Sequence, residues 1–166
     1  MRRALTKVTA AVLLGAVVAP LTGAVPASAV NVRYRAAKSC FVDGREFRAD
    51  IHTYGKPTQP NTWTEVQLWG YKIESNGGDT RNSDVIAALA SWNGSSWAHF
   101  QGIGWVENAI EDNAYHNGPF EAGRPMEIGY RSDGKPISVQ VQVWFDGDSS
   151  KMCSVHLRPY DLEWIG

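Results

Sequence analysis

Pro136-Ile137-Ser138-Val139-Gln140-Val141-Gln142-Val143-Trp144-Phe145 is the stretch from which the fold of this chain is read. Ile137, Val139, Val141, Val143 and Phe145 alternate with Ser138, Gln140, Gln142 and Trp144. Successive side chains on a strand point to opposite faces, so a period of two predicts a strand with one buried face and one polar-aromatic face. Ser132-Asp133-Gly134-Lys135 before it and Asp146-Gly147-Asp148 after it read as turns. Beyond them lie Met126 to Tyr130 on one side and, on the other, Cys153, Val155 and Leu157 alternating with Ser154, His156 and Arg158. Loops this short cannot hold a parallel crossover, so the three strands form an antiparallel meander.

The N-terminal half follows the same style. Val32 to Val42 reads as a strand and Asp43-Gly44 as a hairpin turn, after which Phe47, Ala49, Ile51 and Thr53 alternate with Arg48, Asp50, His52 and Tyr54. Pro57 and Pro60 punctuate a loop. In the next strand, Trp63 to Ile73, Val66 and Leu68 take one face and Glu65, Gln67 and Trp69 the other. Tyr71 and Ile73 fall out of phase with Val66 and Leu68, which places a bulge at Gly70, and Asn76-Gly77-Gly78-Asp79 ends the strand. Asn93-Gly94, between Trp92 and Trp97, is a hairpin signal whose first arm makes Val85 to Ala90 a strand despite its alanines. Trp105 to His116 fits either a short helix or a strand with a long acidic loop. The tail, with Leu162, Trp164 and Ile165, is apolar enough to dock on the body. Eight or nine strands with turns about every ten residues predict an antiparallel β-sandwich or jelly roll, a flattened barrel second, with little or no helix.

Of the 166 residues, 1–29 read as a secretory signal. Arg2, Arg3 and Lys7 form a basic start, an aliphatic run follows from about Val8 to Val18, and Ala27-Ser28-Ala29 is a small-residue cleavage site of the kind used in bacterial export. The run is shorter than the roughly 20 residues of a spanning helix, so residues 30–166 are expected as one secreted, extracellular domain without a membrane anchor. Once that signal is removed, 13 of the 16 basic residues remain against 17 acidic ones, a balance that argues against nucleic acid as a partner. Cys40 and Cys153 are the only cysteines, and in an oxidising compartment they predict one disulfide between the first and last strands.

Pro119-Phe120-Glu121-Ala122-Gly123-Arg124-Pro125-Met126-Glu127-Ile128 resembles the strand that follows the sugar-binding motif of galectins. The likeness implies a sandwich strand there. The galectin His-x-Asn-x-Arg motif is absent upstream, so no binding residue is carried over.

Catalytic signatures are sparse. No His-Glu-x-x-His, Gly-x-Ser-x-Gly or P-loop occurs, and Gly102-Ile103-Gly104 lacks the setting of a dinucleotide motif. None of His52, His99, His116 and His156 is spaced to share a metal with another, although His52 and His156 lie on polar strand faces. Glu111-Asp112 with His116 reads as a solvated acidic loop. Asp146-Gly147-Asp148-Ser149-Ser150 lacks the spacing of a calcium loop and reads as a turn, and the sequon Asn93-Gly94-Ser95 serves its hairpin. No catalytic residue, metal site or cofactor is assigned.

The polar strand faces are unusual instead. Gln67 and Trp69, Gln140, Gln142 and Trp144, and His52 and His156 place rings among amides and imidazoles where plain solvent-facing strands carry Thr, Ser, Lys and Glu. A ring offers an apolar surface to the C–H side of a sugar, and neighbouring amides hydrogen-bond its hydroxyls. The expectation is a non-catalytic binding domain for an extracellular carbohydrate or cell-wall polymer. The alternative is a domain that binds a secreted or surface protein, such as a protease or hydrolase inhibitor acting through the Gly55–Thr62 loop. Third comes a hydrolase with a carboxylate pair, whose two acids must lie about 5 Å apart if it retains configuration.

Overall fold

The computed structural model describes residues 32–75, 82–121 and 126–166. The export signal at 1–29, the turn at 76–79 and the middle of the galectin-like stretch (122–125) therefore lie outside the described residues. Ten antiparallel strands follow one another: β1 (Tyr34–Val42), β2 (Arg45–Thr53), β3 (Trp63–Ile73), β4 (Ser83–Trp92), β5 (Trp97–Ala109), β6 (His116–Asn117), β7 (Glu127–Tyr130), β8 (Pro136–Trp144), β9 (Met152–Leu157) and β10 (Glu163–Trp164). Among the described residues the helix is three 3₁₀ turns, at Phe145–Gly147, Ser149–Lys151 and Pro159–Asp161. Among the described residues no helix is long and apolar enough to cross a membrane.

Hydrogen bonds join all ten strands into one sheet of order β10-β1-β2-β3-β7-β8-β4-β5, with β6 added on β3 and β9 on β8. Two separate sheets, as a sandwich would have, are not what the ladders draw, because β3 serves both halves. Its first residues, Trp63–Glu65, pair with β7, and Val66–Ile73 pair with β2. The two halves still bury one common core: Phe47, Ile51 and Ile73 from the first meet Val139, Val141, Val143, Val155 and Leu157 from the second. Asp43 and Gly44 both adopt positive φ (53° and 77°), the conformation of the two-residue turn that the β1–β2 hairpin needs.

Cys40 of β1 and Cys153 of β9 form the disulfide, with Cα atoms 6.1 Å apart. These strands share no hydrogen-bond ladder, so the bridge ties together parts of the fold that backbone pairing leaves apart. The last strand is not β9 but the short β10, which pairs with β1. Only Leu162 of the tail enters the core; Trp164 and Ile165 stay exposed, with Trp164 edge-on to Tyr34.

Two local expectations are corrected and one open alternative is decided. The β2–β3 register slips between His52 and Thr53, which pair with Leu68 and Val66 and leave Gln67 as the bulged residue. The phase change thus falls three residues before Gly70, and Trp69 turns inward with Tyr71 and Ile73. The Trp105–His116 stretch is the continuation of β5 to Ala109, then a loop and the two-residue β6. Glu111 is not solvated: it is fully buried, accepting from Arg45 Nη1 at 2.9 Å and Ser83 Oγ at 2.5 Å. Arg45 Nη2 also donates to Asp146 Oδ2 at 2.8 Å, and its guanidinium lies 4.3 Å from the Phe145 ring centre. A buried carboxylate is tolerable only when paired and hydrogen-bonded, and here both conditions hold.

Candidate functional site

The outer face of β9, β8, β4 and β5 has a low floor. Ala88 and Ala90 of β4 and Ser138 of β8 project there between longer neighbours, and Ser138 and Ala90 are fully covered. Because these side chains are short, residues from flanking strands meet above them. His99 of β5 reaches over β4, and its Nε2–H donates to Gln140 Oε1 of β8. Trp97 of β5 stacks on His156 of β9, ring centres 4.6 Å apart and planes 26° from parallel. His156 Nδ1 lies 3.4 Å from Ser138 Oγ.

One end of this face deepens into a groove of about 410 Å³ lined by Trp92, Trp97, Pro136, Arg158 and Tyr160, within the size range of small-ligand sites. Local sequence sets each wall. Asn93 Oδ1 accepts from the backbone of Ser95 (2.9 Å) and Ser96 (2.8 Å), closing the turn that brings the Trp92 and Trp97 rings together, centres 5.4 Å apart and planes tilted by 54°. Pro159 opens a 3₁₀ turn in which Asp161 Oδ2 accepts from the Arg158 backbone N–H at 2.9 Å, holding Tyr160 beside Arg158. The Arg158 guanidinium lies between two rings, 5.4 Å from the centre of Trp97 and 5.3 Å from that of Tyr160, and donates to the Tyr160 hydroxyl. Burial first, then the positive charges of Arg158, His99 and Lys38, push the His156 imidazole down to about 4. His156 is therefore neutral near pH 7 and offers Trp97 an uncharged ring.

The structure gathers some of the sequence-predicted residues and scatters others. Gln140 and His156 are opposite one another on this face, with half-buried Gln142 two residues further along β8. Trp144 shares the face but lies at the far end of β8 from Pro136, about 26 Å away at the rise of a strand, and is half-buried. Trp69 belongs to no surface. The bulge at Gln67 turns it into the core, where it is fully buried and its Nε1–H donates to Pro119 O at 2.9 Å. Gln67 sits at that bulge, with a buried, unpartnered Nε2. His52 lies on the other half of the sheet, 3.4 Å from Asp50 Oδ2, apart from His156. Burial alone would raise Asp50, but His52 and Arg35 outweigh it and hold the carboxyl below its ordinary range.

Trp92, Trp97, Tyr160 and Arg158 complete the site without having been assigned to it from sequence. The available signal was the pair of tryptophans flanking an Asn-Gly turn, which a hairpin places directly opposite. Elsewhere, a cleft of about 320 Å³ floored by Leu89 and Ile137 carries only Gln101 and Glu127 as polar lining. Asp112 and His116 touch at 2.8 Å; that contact and the Ala114 N–H hold Asp112 low. The Gly55–Thr62 loop is anchored by buried Pro57 and by Lys56 Nζ donating to Leu162 O at 2.5 Å. Comparison with models of protein families, with curated proteins and with solved structures finds no match to this chain.

Proposed function

We propose that this chain is a secreted, non-catalytic binding protein whose sheet folds back on itself as a β-sandwich and whose outer face holds an extracellular carbohydrate or cell-wall polymer. The observation that carries the reading is the groove between Trp92, Trp97 and Tyr160, continuous with the Gln140–His99–His156 surface. Half-exposed rings offer flat apolar surfaces to sugar C–H groups, and the adjoining amide and imidazoles supply hydrogen bonds to hydroxyls. Among the described residues the groove lining includes no carboxylate, so an acid pair for glycoside cleavage has no support there.

Trp97→Ala is the test. Removing a stacked ring from a binding site commonly costs about 2 kcal/mol or more of affinity, roughly a thirtyfold loss. Retention of the variant on insoluble polysaccharides should fall accordingly while its far-ultraviolet circular dichroism stays that of the wild type. Unchanged retention, or a wild type that binds no polysaccharide, overturns the reading. The inhibitor alternative rests on the Gly55–Thr62 loop, whose anchored base presents an exposed Thr58–Asn61 tip. It expects Trp97→Ala to leave the protein's interactions intact and substitutions at the tip to abolish them.

A further inference from the structure

Among the described residues no carboxylate lies within ion-pair distance of the Arg158 guanidinium. Arg48 shares this condition, whereas Arg35, Arg45 and Lys38 are each joined to an acid. Of Arg48 and Arg158, it is Arg158 that lines the aromatic groove. The acid nearby in sequence, Asp161, is taken by Lys38 Nζ at 2.6 Å and by the Arg158 backbone N–H. Arg158 Nε is buried and unpartnered, and the rest of the group is held between Trp97 and Tyr160 in the groove wall. A half-exposed guanidinium held by two rings at the wall of an aromatic groove, with no acid opposite it, is placed to meet an anion entering that groove.

Resting on the carbohydrate reading and narrowing it, we propose that the groove recognises a carboxylated sugar: a ring of a uronate-type acidic polysaccharide stacks on Trp97 and Tyr160 while its carboxylate meets the Arg158 guanidinium. The planar, permanently charged fork of arginine fits a carboxylate, and stacking against the rings has already fixed its orientation. The wider chain carries a small acidic surplus, so attraction of an acidic polymer would be a property of this face and not of the whole molecule.

The experiment titrates the full secreted chain with a polygalacturonate oligomer and with the same oligomer after chemical reduction of its carboxyl groups. The wild type should bind the acidic form at least tenfold more tightly, and raising the salt should erase most of that preference. Arg158→Gln should bind the two forms alike, and Arg158→Lys, which keeps the charge but loses the fork, should fall between. Equal wild-type affinity for both oligomers overturns the carboxylate assignment and leaves the carbohydrate reading standing. Absence of binding to these and to neutral polysaccharides overturns both. Should Arg158→Gln fail to fold, the wild-type preference and its salt dependence decide the matter alone.

Discussion

Replacing Trp69 with alanine should destabilise the protein without touching its outer face. The ring is fully buried, with the strap of residues 116–120 closed over it. That closure is tight: a Cβ added at Gly118 would sit 2.0 Å from Trp69 Cζ2, and one at Gly104 would sit 3.1 Å from the same atom. A buried Trp hides about 150–250 Å², which at about 25 cal/mol per Å² gives roughly 4–6 kcal/mol as an upper figure. Truncation to alanine in a core costs about 3–5 kcal/mol. The Pro119 carbonyl, which accepts from Nε1, would lose its partner and add about 1 kcal/mol. A loss of about 4–6 kcal/mol is a large part of the 5–15 kcal/mol that holds a domain of this size together. Urea unfolding followed by circular dichroism measures it, and an unchanged slope would assign the whole effect to stability. Gly118→Ala, which forces a methyl into the same ring, should lower stability by about 1–3 kcal/mol through overpacking. A Trp69→Ala loss below about 1 kcal/mol would place the ring outside the core and refute the bulge at Gln67.

Other perturbations separate the remaining forces. Reducing the Cys40–Cys153 bridge releases a sequence separation of 113 residues and should cost up to about 4–5 kcal/mol on the chain-entropy account; a melting temperature unmoved by reductant would contradict it. Glu111→Ala leaves Arg45 with Asp146 alone, and breaking one partner of a buried pair should cost about 3 kcal/mol, read in the same urea titration. His156 has its folded pKa depressed to about 4 from 6.5, so the unfolded chain binds the extra proton first. Stability is then full above about pH 6.5 and falls as pH drops toward 4. Because solvent screens a half-open ring, the loss should be about 1–2 kcal/mol, less than the full linkage value. His156→Gln should flatten that part of the stability profile, and an unchanged slope would assign it to other groups.

What the chain states locally is what sequence alone could decide. The Ile137–Phe145 alternation is a property of consecutive residues, and it correctly separated core valines from the face carrying Gln140 and Gln142. Asp43-Gly44 carries its own turn preference, and the two cysteines had one possible partner each. Trp69 was misplaced because strand phase depends on the partner: only the pairing of Val66 with Thr53 and Leu68 with His52 reveals that Gln67 is the extra residue. Glu111 looked solvated because Arg45, which neutralises it, lies 66 residues away. The groove was hidden for the same reason. Trp97 meets His156 across β4 and β8, which lie between their strands in the sheet order, because the alanines and serine on those two strands are short enough for the rings to meet above them. Strand order and register are non-local quantities, fixed when distant segments bury their apolar faces together, and it is they that decide which polar side chains become a site.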